Sequence, residues 1–452
     1  MKNGNESAMI LGKYMHFTNI FRTFGIATRL WNILICFLAL FVICITGVMM
    51  DLTKPVVAEK DMQGNNELEV FINNSVYLDT YISKYEEDGQ RRGVFSTLWH
   101  FTERRFQAVV YSMFDLDIPS VLRNIAEFLK AIIWAFKYHF FYAVIFFTIS
   151  LCMISIAGGA VCRTAALQFA LAQKPGMTEA LRYSISRFRS YCFAPLTPIC
   201  FIIGCAFFIF MLGVLATVPF GIGEILLIIF LAVALLIGVV ISLLLIGGIA
   251  GFNLMLPAIS YEGTDSFGAM NHSFCYIYKK PWRMLFYTSM AAVYGSICYA
   301  FVRFFVFLLL WITHQSLQLG AKSVASASNL FGKESGVLSR FNSIWPEPTL
   351  INLFGSTISE PISLTQTAAH IVVYLVIWMF VLLLASFILS FYFSANTIIY
   401  ALIRQKVDDT PINEIFTPEE MEELDFHEAE EGGGVSPESN PDERPDPKNE
   451  EG

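Results

Sequence analysis

The amino-acid sequence predicts an all-α membrane protein with about six transmembrane helices, an internal parallel repeat and a disordered acidic C-terminal tail. The first observation behind this prediction is composition, because 55% of the 452 residues are hydrophobic, only 15% are charged and the mean hydropathy is +0.56. A soluble globular protein usually carries about 25% charged residues. The second observation is a series of six long apolar runs, and the third is a segment that recurs 89 residues further along the chain.

Six apolar runs are long enough to cross a bilayer, which takes about 20 mostly apolar residues in a helix. We number them spans one to six, and they cover Leu30–Met50, Phe140–Val161, Ala194–Thr217, Ile225–Phe252, Met284–Trp311 and Ile371–Ile403. Span one lacks a small-residue cleavage site and is interpreted as an uncleaved anchor rather than a signal peptide. The predicted organisation is a cytoplasmic amphipathic segment (1–29), span one (30–50), an extracytoplasmic helical segment (51–137), a first repeat (138–217), a second repeat (222–311), an extracytoplasmic loop (312–370), span six (371–403) and an acidic cytoplasmic tail (404–452).

The orientation follows from Lys and Arg residues near the spans, because these residues concentrate on the cytoplasmic side of a membrane. Basic residues occur before span one, between spans two and three, between spans four and five, and after span six. The turn 218–224, on the opposite side, contains none. We therefore expect a multi-pass protein of the inner (cytoplasmic) membrane with both termini in the cytoplasm.

The two outer segments differ in character. The first contains two stretches with helical spacing of apolar residues, and Pro119 stands just inside the start of the second stretch, where a missing N–H costs little. We expect two amphipathic helices that lie on the outer leaflet or cap the bundle. The second outer segment is rich in Ser, Gly and Pro and is expected to be less ordered.

The segment 247–277 repeats the segment 158–188 without a gap. Five positions are identical: Gly158 and Gly247, Gly159 and Gly248, Leu167 and Leu256, Ala180 and Ala269, and Ser184 and Ser273. Leu181, Ile185 and Phe188 also align with Met270, Phe274 and Ile277, with the spacing of one helical face. Each copy is predicted to be a span, a short amphipathic helix at the cytoplasmic interface and a second span. Both copies start outside, so the repeats are parallel. Whether spans six and one form a third such unit stays open.

Five stretches of the chain resemble an uncharacterised polytopic integral membrane protein family of planctomycetes and relatives: FRTFGIATR, GGAVCRTAALQFAL, AISYEGTDSF, YKKPWRMLFY and ANTIIYALIRQKVD. This resemblance covers most of 21–408 and implies a membrane protein without a known activity. The repeat segment LPAISYEGTDSFGAMNHSFCYIYKKPWR resembles, more distantly, the membrane domain of some bacterial glycerophosphodiester phosphodiesterases. The chain has no phosphodiesterase domain, so that activity is not transferred.

One charged residue stands inside a span. Arg303 lies about eight residues from the outer end of span five, roughly 12 Å below the outer boundary at 1.5 Å per residue. A charge at that depth costs free energy, so Arg303 is expected to face the bundle and find a partner. Glu224, at the start of span four on the outer side, is the nearest candidate by its position in the sequence. The pair would be part of a substrate or ion path, or else Arg303 would reach the headgroups or form a structural ion pair.

Polar residues between spans four and five, with their counterparts in the first copy, form a second group of candidates. Glu262, Ser273 and Ser184 could line a cytoplasmic vestibule. In the alternative interpretation, Asp265 or Ser266 caps an amphipathic helix whose basic residues contact anionic headgroups. His139, His314 and His370 fall at outer ends of spans, but no carboxylate spacing supports a ligand set, and no metal site is predicted.

The tail from Asp408 onward holds 17 acidic residues against two basic ones, a net charge of −15, which leaves +7 on the rest of the chain. It could dock on a basic protein partner or serve only to solvate the chain. No catalytic motif or cofactor-binding motif is present, so neither an enzyme nor a cofactor is expected. Membrane lipids are the expected partners and no nucleic acid is expected, while the oligomeric state is not determined. Two functions remain: a non-enzymatic membrane module that organises lipid or partner proteins, and a small-molecule or lipid transporter with a path between the repeats.

Overall fold

The computed structural model describes residues 16–53, 55–58, 66–85, 90–215, 222–330, 337–355 and 363–416. The predicted disordered tail therefore lies outside the described residues from position 417 onward. The described chain is almost entirely helical. One short antiparallel pair of strands, β1 (Val56–Ala58) and β2 (Gln90–Arg92), lies in the first outer segment.

The helices are numbered in chain order after a 3-10 turn at His16–Arg22. They are α1 (Thr23–Ala27), α2 (Leu30–Met50), α3 (Glu67–Asn73), α4 (Leu78–Tyr85), α5 (Val94–Phe114), α6 (Ile118–Tyr138), α7 (Phe140–Leu171), α8 (Met177–Ser186), α9 (Phe188–Phe193), α10 (Thr197–Leu215), α11 (Ile222–Glu262), α12 (Ser266–Lys279), α13 (Pro281–Leu330), α14 (Val337–Ile344) and α15 (Leu364–Val407).

Six of these helices are long and apolar enough to cross a membrane: α2, α7, α10, α11, α13 and α15. They coincide one to one with the predicted spans, so the protein is an all-α, multi-pass membrane protein. The second outer segment departs from the prediction of a less ordered loop, because α13 continues past Trp311 to Leu330 and α14 follows. Hydropathy marks where an apolar run ends, whereas a helix can continue through polar residues such as those after Trp311.

Helix α15 is the centre of the bundle and packs against α2, α7, α11 and α13. The approach of α7 to α15 depends on Gly158, where a Cβ atom would stand 2.6 Å from the Phe393 ring. Helix α10 packs mainly on α11, and most of the apolar surface of this pair is exposed. Helices α11 and α13 do not pack along each other within the described residues.

The two short helices α8 and α12 bury the same aligned positions. Ala180 and Ser184 of α8 are buried, and so are Ala269 and Ser273 of α12. Of the residues aligned as an apolar face of α8, Leu181 packs against buried residues, whereas Ile185 is 60% exposed. Small side chains face the bundle instead, since α8 lies so close to α7 that a Cβ atom on Gly159 would stand 2.5 Å from the Ser184 hydroxyl.

The first outer segment forms a small packed unit of α3 to α6 around Leu68, Phe101 and Trp134. The two predicted helices are present as α5 and α6. The start of α6 is capped by Asp117, whose carboxylate accepts a hydrogen bond from the Ser120 amide at 3.2 Å, and Pro119 lies in its first turn. Both features are typical of helix N termini.

Candidate functional site

Helix α5 begins at the outer ends of α2 and α7. The Asp51 carboxylate, just beyond α2, accepts hydrogen bonds from the backbone amides of Phe95 and Ser96, each at 2.8 Å. The Tyr142 hydroxyl of α7 donates to the same carboxylate at 2.9 Å. Asp51 therefore satisfies two amides of the first turn of α5 and fixes that end of the helix.

From this start, α5 descends beside α13. The ring of Phe106 lies edge-on to Tyr299 with centroids 5.1 Å apart, and the Ser296 hydroxyl lies 3.1 Å from the Met113 sulfur. Ser296 is 15 residues from Trp311, the expected outer end of span five, which is about 22 Å along a helix. Helix α5 therefore reaches the middle of the bundle instead of lying on the outer leaflet or capping the spans.

An ion pair and a hydrogen bond join the polar sides of α5 and α6, beside the apolar cluster that the two helices share. Arg105 of α5 forms an ion pair with Glu127 of α6 at 2.8 Å and lies 3.4 Å from the amide oxygen of Asn124. These polar groups face each other, which leaves apolar faces for the bundle and for lipid. Sequence spacing alone does not reveal this, because it locates an apolar face without showing how polar faces pair.

Two apolar cavities lie where α5 contacts α13 and α15. The inner one has a volume of about 260 Å³ and the outer one about 330 Å³. Phe106, Tyr299, Ile388 and Tyr392 line both cavities, so the two are adjacent. In the inner cavity, the Tyr392 hydroxyl donates a hydrogen bond to the Asn253 side chain.

Two larger cavities adjoin the outer apolar cavity, and the four cavities together form a row along α5. One, of about 870 Å³, is lined by aromatic residues that include Trp99, Tyr374 and Trp378. The other, of about 710 Å³, is polar and its walls include Arg92. Glu103 lines this polar cavity, the aromatic cavity and the outer apolar cavity, so it stands where the polar and apolar parts of the row meet.

Arg303 lines the outer apolar cavity, and each of its three guanidinium nitrogens donates a hydrogen bond. Nε donates to the Leu350 carbonyl at 3.0 Å, Nη2 to the Ile351 carbonyl at 2.8 Å and Nη1 to the Tyr299 hydroxyl at 2.7 Å. Arg303 thus holds the segment 345–355 against α13. The predicted pairing with Glu224 stays a prediction, because the Glu224 side chain lies outside the described residues.

Glu262 joins three helices at the end of the bundle where α11 and α15 end. Its carboxylate accepts hydrogen bonds from the Tyr276 hydroxyl at 3.3 Å and from the Tyr400 hydroxyl. It also pairs with His272 at 3.1 Å and Arg404 at 3.3 Å. The Tyr276 hydroxyl also donates to the Asp408 carboxylate at 2.5 Å. Burial and this hydrogen bond raise the pKa of Tyr276, which therefore stays protonated as a donor. This geometry makes Glu262 a joint between α11, α12 and α15.

The two aligned serines are buried and bond to backbone carbonyls. Ser184 donates to the carbonyl of Ile156 and Ser273 to that of Ala269, both at 2.7 Å. Neither belongs to the row of cavities beside α5. Asp265 caps α12 by accepting a hydrogen bond from the Gly268 amide at 2.8 Å, as the interfacial interpretation expects.

Arg163 is a buried charge that sequence reasoning treated as an ordinary basic residue after span two. It lies inside α7, is 3% exposed, and donates to the Ser260 carbonyl of α11 at 2.9 Å. Its guanidinium also stands 4.3 Å from the centroid of the Tyr183 ring. The available signal was its position in an uninterrupted helical stretch, CRTAALQFAL, rather than in a loop.

The three outer histidines contact different groups. His139 lies 3.7 Å from Glu67, whereas His314 and His370 bond to the carbonyls of Trp345 and Ile344. Within the described ranges, no group of three or more His, Cys, Asp or Glu side chains could hold a metal ion.

Comparison with known proteins gives no assignment for this architecture. No protein-family model, no curated protein and no solved structure matches the chain. The family resemblance inferred from the sequence therefore stays a prediction.

Proposed function

We propose that this chain is a non-enzymatic protein of the inner membrane that binds a lipid, with an acyl chain lying in the row of cavities between α5, α13 and α15. The observation that carries the proposal is the succession of cavities from a polar opening through an aromatic section to an apolar inner end. An amphiphile has the same order of polar and apolar parts.

The chemistry of the inner cavities supports an apolar occupant. Ligand pockets are usually about 300–1,000 Å³, mostly apolar, with a few polar groups. Because Asn253 and Tyr392 bond to each other, they present little unsatisfied polarity to a ligand. A hydrocarbon chain can contact the remaining walls, which consist of residues such as Phe106, Val110 and Phe391.

A lateral route from the bilayer supports the same proposal. Asn253 of α11 and Thr288 of α13 both border the inner cavity, and these two helices do not pack along each other in the described part of the chain. A chain could therefore enter from the surrounding lipid without crossing the headgroup region. Helix α15 would form the back wall of the site.

The proposal includes an architecture of two parallel repeats with both termini in the cytoplasm. Buried Ala and Ser residues at the same aligned positions of α8 and α12 support the duplication. The acidic tail would then extend into the cytoplasm, where a basic partner could dock.

The test is to narrow the inner cavities and measure lipid retention. Ala292 and Ala385 line the inner and the outer apolar cavity, so Ala292→Trp and Ala385→Trp would occupy space needed by a chain. Ala232→Trp is the matched control, because Ala232 is exposed on α11 away from the site. Native mass spectrometry of the purified proteins should show bound lipid on the wild type and on the control, with a marked loss on both cavity variants. Equal retention by all four proteins would refute the proposal.

A second candidate function is lipid transport. The inner cavity extends to Asn396 of α15, which lies 11 residues before the proposed cytoplasmic end of that helix at Val407, and this position favours transport. The contact between α7 and α11 instead contains Gly158, Leu256 and the Arg163–Ser260 hydrogen bond, so the supported route runs beside α5 rather than between the repeats. Reconstituted vesicles with a fluorescent lipid in one leaflet test this function. A transporter would accelerate exchange between leaflets, whereas a binding protein would retain lipid without accelerating exchange.

A further inference from the structure

The aromatic cavity, of about 870 Å³, has an excess of negative charge in its wall. Among the described residues of that wall, Asp51 and Glu103 are acidic and none is a Lys or an Arg. His100 also lines the cavity, and desolvation by neighbouring side chains lowers the pKa of His100 below its usual value. The imidazole is therefore neutral at pH 7, and the two carboxylates leave the cavity with a net negative charge.

In the other three cavities of the row, the described charged residues balance or are absent. The polar cavity has two acidic and two basic residues in its wall: Glu69, Glu103, Arg92 and Arg104. The outer apolar cavity has Glu103 and Arg303, and the described wall of the inner cavity has no charged residue. The electrostatic potential of the row therefore favours a cation in the aromatic cavity.

Neither carboxylate of the aromatic cavity forms an ion pair with another described residue. Asp51 accepts hydrogen bonds from two backbone amides of α5 and from the Tyr142 hydroxyl, which are neutral donors. One oxygen of Glu103 accepts a 3.3 Å hydrogen bond from Gln107, which is also neutral. A carboxylate in a largely apolar wall costs free energy until a cation compensates its charge, so a cationic ligand would be stabilised here.

Aromatic side chains make up much of the remaining wall of this cavity. They are Phe41, Phe95, Trp99, Phe354, Tyr374 and Trp378. The face of an aromatic ring attracts an ammonium group, and tryptophan does so most strongly. Carboxylates among aromatic rings therefore form a favourable environment for an alkylammonium group.

The position of Glu103 determines where the cation lies relative to the hydrocarbon chain. Glu103 lines the outer apolar cavity as well as the aromatic cavity, so an ammonium group bound to it has apolar walls directly beside it. Arg92 precedes the start of α5 at Val94, about 14 Å along the helix from Glu103, and borders the polar cavity but none of the other three. The ligand therefore carries its cation next to its chain. A phospholipid has the opposite order, because its phosphate lies between the chains and the ammonium group.

We infer that the aromatic cavity binds the ammonium group of a long-chain amine, with Glu103 accepting a hydrogen bond from it and the hydrocarbon chain in the apolar cavities. The inference rests on the proposed lipid-binding function and specifies the chemical class of the lipid. Even where Glu103 offsets the charge of Arg303 in the adjoining cavity, Asp51 keeps the aromatic cavity negative.

The experiment compares three probes of equal chain length: hexadecylamine, hexadecanol and hexadecanoic acid. Each is titrated into the full-length protein in a nonionic detergent at pH 7, and native mass spectrometry measures the bound fraction. The wild type should bind hexadecylamine about tenfold more tightly than hexadecanol, because a charge-assisted hydrogen bond and the ring contacts favour the ammonium group.

Variants of Glu103 test whether its charge causes this preference. Glu103→Gln should lower the preference for the amine from about tenfold to about twofold. Asp115→Asn is the matched control for general attraction of a cation to an acidic protein, because Asp115 is exposed at the end of α5 and lines none of the four cavities. Glu103→Lys should bind hexadecanoic acid more tightly than the wild type does, a gain that a misfolded protein would not show.

Two sets of results distinguish failure of this inference from failure of the proposed function. If the wild type binds the amine and the alcohol equally and Ala385→Trp weakens both, the row holds a chain but no cation, and the inference is overturned. A tenfold preference that persists in Glu103→Gln would overturn it as well. If neither probe binds, or if Ala385→Trp changes the binding of neither, the proposed function itself fails.

Discussion

Replacing Arg303 by alanine should release the outer segment 345–355 from α13. Arg303 is only 8% exposed, and it donates to two carbonyls of that segment and to the Tyr299 hydroxyl. The variant loses all three hydrogen bonds and leaves the carbonyls of Leu350 and Ile351 without this donor. The segment would therefore open more often while the spans stay folded.

The size of the effect follows from the three bonds. Hydrogen bonds to charged groups contribute about 1.5–3 kcal/mol each, whereas hydrogen bonds between membrane helices average about 0.6 kcal/mol. Three bonds therefore bracket the loss between about 2 and 9 kcal/mol. Water can reach the two carbonyls once the segment opens, so we expect a value near the lower end, about 3 kcal/mol. At 1.4 kcal/mol per factor of ten, the opening equilibrium rises about a hundredfold.

Hydrogen exchange followed by mass spectrometry measures this opening directly. The amides of Thr349 and Gly355 bond to the Asn352 carbonyl at 2.9 and 3.2 Å, so their exchange reports on the segment. Their exchange should accelerate about a hundredfold in Arg303→Ala and less in Arg303→Lys, because an ammonium lacks the fixed fork of donors. Exchange in 66–85 serves as the internal control. Exchange of 345–355 at the wild-type rate in Arg303→Ala would show that Arg303 does not hold this segment.

Three further predictions concern the start of α5, the joint at Glu262 and the topology. Asp51→Ala should cost about 1–2 kcal/mol through the lost helix cap, seen as a lower unfolding temperature, and an unchanged temperature would contradict the capping role. Glu262→Gln should weaken the ion pair with Arg404 and accelerate trypsin cleavage there, so an unaltered cleavage rate would argue against the joint. In intact cells, an impermeant maleimide should label Ser328→Cys and spare Ser436→Cys, whereas the reverse pattern would invert the proposed topology.

The membrane class and the six spans could be predicted because both depend on local sequence. A run such as 371–403 must satisfy its backbone hydrogen bonds internally in lipid, and a helix does so whatever surrounds it. The caps at Asp117 and Asp265 are equally local, since each acceptor lies three residues from its amide donor. The positions of Ala180 and Ser184 could be aligned with their counterparts for the same reason.

The partners of the charged residues could not be predicted, because they are distant in sequence. Arg303 binds carbonyls 47 and 48 residues away, and Arg163 binds one 97 residues away. Glu224 was the predicted partner of Arg303 because the sequence gives only the depth of each residue along its span. Depth does not indicate which loop folds back over a helix.

Apolar composition and helix length are properties of each segment alone, and they are sufficient to predict that this chain crosses a membrane about six times. The aligned small residues that allow α8 and α12 to approach the spans can likewise be read from the sequence. The descent of α5 beside α13 and α15, and the cavities that remain between these helices, become visible only in the folded arrangement of the helices. A cavity cannot be predicted from any one segment, because its volume is the space left when several helices pack at particular angles.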